Sequence, residues 1–481
     1  MRQVWKYVLV LGITVGLWGC EAKNPSQPSL NISKNQLVLS KFVAVGNSLT
    51  AGFQSAGMVE DFQMHSYPYL IAKQMGKGDD FQQPLIAAPG IGSTPGKTPL
   101  KFVNGNLVAD DLTVDPVSLL KNALLPRPYD NLGVPGARLG DVLNTAVGSQ
   151  AEGGNNPFFD IVLRNPNFGN TTQLQQAILL NPTLLILWIG NNDVLGAALA
   201  GGNLASITPQ TEFAAKFDQL LGELRSKTRA QIVMANIPYV TDIPFINTLD
   251  GVFRANPAIG VNDSVPVIFD QNLQPVDFSL IGSGGVFIPL VTEETNVKHL
   301  TIPALQLYLQ GIGVPDSAKL VEYGFAPPIA AGIINGMKQA GLNPTGLPLP
   351  GSVTITAEEK QAIKDAVDGF NSTLASLASK YKCVLVDMNS MLTQLNTAGI
   401  DGYSGKFVLL DPVNTAFSLD GVHPNSGGYA IVANKFIEAI NQAFGLNIPS
   451  IDTAQFKGQY VSTASRELAL IAVREVQAIF R

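Results

Sequence analysis

Short runs in which nearly every position is apolar recur along this chain, separated by longer stretches in which apolar residues return every third or fourth position. The runs are "KFVAVG" (41–46), "LLILWIG" (184–190), "AQIVMAN" (230–236) and "CVLVDM" (383–388). Short, β-branched and apolar on both faces, they predict strands buried inside a parallel sheet. The spaced pattern predicts amphipathic helices. "TPQTEFAAKFDQLLGELRSK" offers Thr208 as N-cap and Pro209 in the first turn, and "TAEEKQAIKDAVDGF" opens with a Thr356…Glu359 capping box. A further helix is predicted to open near Ser426. Strands alternating with helices predict an α/β fold, a doubly wound and mostly parallel sheet. Ligands bind such sheets at the carboxyl ends of the strands, so chemistry is to be sought just after each apolar run.

After the first run stand Gly46, Asn47 and Ser48, and after the second Asn191, Asn192 and Asp193. Between them "YDNLGVPGARLGDVL" sets Gly136 in a turn ahead of a helical pattern. Near the carboxyl end, "SLDGVHPNSGGYAIVANKF" holds Asp420 and His423 three residues apart, within reach of one turn of chain. A lone Gly-x-Ser after a strand is usually only a turn, and a lone Asp-x-x-His often only caps a helix. Together and in this order they cover the roles of acyl transfer: nucleophile, base, orienting carboxylate and oxyanion donors. A serine hydroxyl attacks poorly at neutral pH unless an imidazole takes its proton, which is the part His423 can play with Asp420 holding the ring. The backbone N–H groups of Ser48 and Gly136 and the Asn192 amide can stabilise the charge that develops on a carbonyl oxygen.

The blocks "GNSL", "PGA", "GNND" and "DGVH" fall in the order of the SGNH (GDSL-type) hydrolases, which this chain resembles across residues 41–445. The resemblance implies a flavodoxin-like three-layer α/β/α fold, with the family's name letters matching Ser48, Gly136, Asn192 and His423. Two positions depart or need a choice. Asn47 stands where the family has an aspartate, removing a charge beside the nucleophile, and the adjacent Asn191 and Asn192 are resolved toward Asn192 by the Gly-x-Asn-Asp pattern. No serine sits in a complete Gly-x-Ser-x-Gly elbow, which argues against an α/β-hydrolase. His65, His299 and His423 are far apart and lack metal-ligand spacing, so no metal or organic cofactor is implied. His65 and His299 are read as structural or surface residues.

Composition narrows the partners. The 481 residues carry 31 Lys and Arg against 37 Asp and Glu, a net charge of −6, with only 14% charged residues, which gives no electrostatic footprint for nucleic acid. Arg2 and Lys6 stand at the start of the apolar run "YVLVLGITVGLW", too short to span a bilayer but suited to a signal peptide over residues 1–19. It ends in "LWGC", which resembles a bacterial lipobox and marks Cys20 as a lipidated first residue, so that the mature net charge becomes −8. Residues 20–39, polar and rich in Ser and Pro, then form a tether. The expected location is the cell envelope, and in a cell with two membranes Glu21 after the lipidated cysteine favours the outer one. With Cys20 lipidated, Cys383 has no partner for an intrachain disulfide and is read as a buried structural thiol.

Within a hydrolase domain over 40–450, two insertions leave strand ends, at about 77–127 and 241–350. The second is rich in Gly and Pro yet apolar, as in "TIPALQLYLQGIGV" and "YGFAPPIAAGIINGM". Loops of this length carry function or their own subdomain. They are read as a cap lining an acyl pocket, or as a surface elaboration away from the site. The carboxyl segment 451–481 includes an amphipathic pattern, "STASRELALIAVREVQAIFR". The function expected is an exported serine esterase or lipase acting on acyl esters. A carbohydrate esterase removing acetyl groups and a lipoprotein that binds lipid or glycan without turnover are the alternatives.

Overall fold

A computed structural model describes residues 37–103, 106–165, 167–254, 291–294, 297–322, 325–339, 341–408 and 410–458. The signal segment, Cys20, most of the tether, the amphipathic pattern over 462–481 and residues 255–290 of the second insertion lie outside the described residues.

Five parallel strands make the central sheet: β1 (Phe42–Gly46), β2 (Asn131–Gly133), β3 (Leu184–Trp188), β4 (Gln231–Ala235) and β5 (Val384–Val386). Their order is β5-β4-β3-β1-β2, with every neighbouring pair parallel. The chain therefore starts in the interior of the sheet, adds β2 on one side and β3, β4 and β5 on the other. The reversal of direction beside β1 opens a crevice at the carboxyl edge, where a ligand can enter.

Eleven helices carry the argument: α1 (Ser48–Ala51), α2 (Tyr67–Gln74), α3 (Leu139–Asn144), α4 (Gln173–Leu179), α5 (Asn192–Leu199), α6 (Gln210–Lys227), α7 (Pro244–Arg254), α8 (Ile302–Leu309), α9 (Ala357–Tyr381), α10 (Met388–Thr397) and α11 (Ser426–Phe444). Alternation along the strands divides the core into two layers, because successive side chains leave opposite faces. Phe42, Ala44, Ile186 and Trp188 meet Tyr67 of α2 and Tyr429, Phe436 and Ile440 of α11. Val43, Val45, Leu185 and Leu187 meet Leu139 of α3, Phe213 and Leu220 of α6, and Phe370 of α9 on the other face. The result is a three-layer α/β/α arrangement.

Three features differ from the sequence reading. Strand β2 was not anticipated: three residues long and beginning with Asn131, it offers too short an apolar run to register, yet its register with β1 runs Ala44↔Asn131 to Gly46↔Gly133. Thr208 does not cap α6, which starts at Gln210 after Pro209; its hydroxyl donates instead to Asp193 Oδ1 at 2.8 Å. Cys383 is half-buried rather than buried, its thiol pushed up by burial, with Arg225 Nη2 at 3.6 Å from Sγ. The Thr356–Glu359 capping box is present on α9.

The second insertion contributes α7, α8 and a strand at Val297–Leu300 that pairs antiparallel with Thr354–Thr356. It builds a separate apolar cluster around Leu249, Leu300, Tyr308, Leu320, Phe325 and Leu349. That local core gives this segment its own stability instead of leaving it as an open loop. No helix among the described residues is long and apolar enough to cross a membrane.

Candidate active site

The turn that carries Ser48 is set by close packing at the end of β1. A Cβ on Gly46 would lie 2.1 Å from Thr50 Oγ1 and 2.5 Å from Trp188 O, so only glycine lets α1 fold back this tightly. One side chain bridges the ends of β1 and β2: Gln173 Nε2 of α4 donates to Gly46 O at 2.9 Å and to Leu132 O at 2.6 Å. Asn47 caps α1, its Oδ1 accepting from Leu49 N–H at 3.1 Å. Ser48 is thereby held, only 6% exposed, at the carboxyl edge of the sheet.

Residues from the far end of the chain reach this point. Ser48 Oγ lies 2.9 Å from His423 Nε2, and His423 Nδ1 lies 2.8 Å from Asp420 Oδ2. A carboxylate can only accept, so Nδ1 carries the proton and Nε2 presents its lone pair to the serine hydroxyl. The Asp420 carboxylate is shielded from solvent and surrounded by donors. Oδ1 accepts from the N–H groups of Val422 and His423, both at 2.8 Å, and from Ser418 Oγ at 3.1 Å. Oδ2 also accepts from Ala56 N–H at 2.7 Å. Burial alone would push this carboxyl up, but its electrostatic attraction to His423 and the hydrogen bonds from His423 and Val422 prevail and hold it below its ordinary value. The Phe53 ring packs against the imidazole with centroids 4.9 Å apart.

Gly136 and Asn192 line the same cavity as Ser48, Asp420 and His423. Gly136 has φ +80°, a left-handed turn that suits glycine. Asn192 Nδ2 donates to Ala137 O at 2.8 Å, which orients the amide and leaves its second N–H for another acceptor. Asn191 turns elsewhere: its Oδ1 receives Asn47 Nδ2 at 3.4 Å, so the two neutral amides pair with each other.

Several contributors were not legible in the sequence. Ser55 and Ala56 adopt left-handed φ of 51° and 54°, and so aim two N–H groups at Ser418 Oγ and Asp420 Oδ2. No residue type signals this, because neither is Gly or Asn. In the sequence Asp193 stands out only as the last residue of the Gly-Asn-Asn-Asp block. It accepts from Leu139 N–H at 2.9 Å and from the Thr208 hydroxyl, tying α5 to α3 just beyond the Gly136 turn. Burial pushes its carboxyl up to about 6, with the Leu139 and Thr208 bonds acting the other way.

The cavity in front of Ser48 measures about 880 Å³ and is mostly apolar. Both insertions reach it, through Ile91, Leu100 and Leu112 from the first and Phe245, Ile302 and Leu305 from the second. The other two histidines lie apart from it. His65 Nδ1–H donates to Asp61 O at 2.7 Å and its ring meets Phe456, while His299 is buried in the strand Val297–Leu300. Among the described residues, no group of three or more His, Cys, Asp or Glu is arranged to hold a metal ion.

Comparison with known proteins adds the following. Residues 42–267 match the family described as GDSL-like lipase/acylhydrolase. No curated protein sequence matches the chain. Among solved structures, the chain is similar to phospholipase A1 from Streptomyces albidoflavus NA297, with 13% identity, a TM-score of 0.32, and 83% of this chain and 98% of that one covered. It is likewise similar to an extracellular lipase from Streptomyces rimosus, at 14% identity and a TM-score of 0.31, covering 84% and 98%.

Proposed function

We propose that this chain, whose residues 42–267 match the GDSL-like lipase/acylhydrolase family, is an ester-bond hydrolase that cleaves apolar acyl esters through an acyl-enzyme on Ser48. The observation that carries this reading is the Ser48–His423–Asp420 chain of hydrogen bonds facing a large apolar cavity.

Ser48 Oγ attacks the ester carbonyl carbon while its proton passes to His423 Nε2. The negative Asp420 stabilises the imidazolium so formed and keeps the ring from turning. Charge on the former carbonyl oxygen is met by the Ser48 and Gly136 N–H groups and the second Asn192 amide N–H. As the tetrahedral species collapses, His423 returns the proton to the departing alkoxide and an alcohol leaves. Water then attacks the acyl-serine, gives its proton to His423, and releases the carboxylic acid with Ser48 restored.

The apolar lining supports an acyl chain over a polysaccharide acetate, which would need polar groups to recognise the sugar. The two insertions act as the cap over this chain. The amino-terminal signal pattern supports an exported enzyme held to the envelope by lipid on Cys20, with residues 20–39 as its tether.

The test is hydrolysis of nitrophenyl esters from acetyl to long acyl by the full chain in detergent, with Ser48→Ala alongside. Activity that rises with acyl length and vanishes in Ser48→Ala is expected. Activity on acetyl alone would favour the carbohydrate esterase, and equal rates in both proteins would leave a binding function.

A further inference from the structure

Ser48, Asn192 and His423 also face a second cavity, of about 100 Å³. It lies beside the carboxyl ends of β3 and β4 and against α10 and α11, walled by Trp188, Ile243, Leu392, Leu395, Ile431 and Val432. The large cavity instead reaches over the Gly136 turn and under the insertions. Two spaces of very different size therefore meet at the nucleophile.

The small space is almost wholly apolar. Its polar side chains beyond the reacting groups are Asn47 and Asn191; Asn47 accepts from Leu49 N–H and donates to Asn191 Oδ1. An aspartate at 47 would set a carboxylate in this wall; the neutral Asn47 does not. Water is held in such a space only where two to four polar partners converge, whereas an alkyl group needs none.

We propose that the small chamber is a second substrate subsite that takes a short alkyl arm, so that preferred esters carry one long and one short arm on either side of the scissile bond. The proposal rests on the ester-hydrolase reading and names its substrate class. A cavity of about 150 Å³ suffices for benzene, so this one accommodates about four carbons. Each methylene that enters adds about fourfold to kcat/KM until the space is full.

The short arm can belong to the acid or to the alcohol, and two series separate these sources: hexadecanoyl esters of alcohols from methanol to octanol, and hexadecyl esters of acids from acetic to octanoic. The assay is kcat/KM of the full chain in detergent. One series is expected to climb to about four carbons and fall at least tenfold by eight. Leu395 lines the small chamber and not the large one. Leu395→Phe is expected to move the break to shorter arms and Leu395→Ala to longer ones. Should Leu395→Phe not fold, Met391→Phe, on a half-buried wall residue, gives the same shortening. A profile without a break in either series, or a break that ignores residue 395, overturns the proposal alone. Absence of hydrolysis of every ester overturns it together with the ester-hydrolase reading.

Discussion

The backbone N–H of Ala56 and the Nδ1–H of His423 converge on one oxygen, Asp420 Oδ2, at 2.7 and 2.8 Å. The segment after the Ser48 helix thus holds the carboxylate that bonds the His423 ring. Asp420→Asn keeps the volume but turns an amide N–H toward donors or strips one oxygen of its charge. Its kcat is expected to fall by about 10³–10⁴-fold, with the fold retained by circular dichroism. Initial rates on a nitrophenyl ester measure it, and a loss under tenfold would remove Asp420 from the machinery.

Asn191 and Asn192 are neighbours with different partners. Asn192→Ala removes the amide that faces the cavity and is expected to lower kcat by about 10²–10³-fold with little change in KM. Asn191→Ala loses only its pairing with Asn47 and is expected to cost under tenfold. The reverse ranking in steady-state kinetics would assign the oxyanion amide to Asn191.

Asp193 makes stability depend on pH in an unusual sense for a carboxylate. Its carboxyl titrates near 6 in the folded chain against 3.8 ordinarily. Between those values the native state holds a proton that the unfolded chain has released, so its contribution to stability falls as pH rises from about 4 to about 6 and is level above. Asp193→Asn lacks this slope. The stability of the variant relative to the parent is expected to rise across that window by about 1.4 kcal/mol per pH unit, read from urea midpoints. A difference that stays flat would mean that Asp193 is ionised throughout.

Gly46→Ala forces a methyl group against Thr50 Oγ1 and Trp188 O. Because one of these is backbone, the clash cannot be relieved by a rotamer change. A loss of about 3 kcal/mol is expected, seen as a lower denaturant midpoint, and an unchanged midpoint would show that the turn can relax.

The sheet was legible where burial on both faces produced an unbroken apolar run, as at 184–190. β2 escaped because its three residues hold a single large apolar side chain, Leu132, and open on Asn131, whose amide donates to Thr50 O. At the site, Ser48 and the Asp420–His423 spacing stand out because the chemistry fixes residue type. Ser55, Ala56 and Ser418 do not, since two of the donors they supply are backbone N–H groups, which every residue but proline owns. Thr208 was misread for a related reason: a threonine before a helix caps it unless a buried acceptor, here Asp193, competes for the hydroxyl.

Asp420 is ligated by residues 56, 418, 422 and 423, and so binds together segments more than 360 positions apart in the chain. This has a consequence in time. On a nascent chain Ser48 is made early, but its base and the carboxylate behind it come after about nine-tenths of the sequence. Folding of domains proceeds from the amino end as synthesis advances. On the proposed mechanism the serine has no partner to take its proton through that whole interval, and ester hydrolysis begins only when the last loop docks. Appearance of activity is therefore a clock for completion of the fold, and a chain that stops short of residue 420 is silent from the outset.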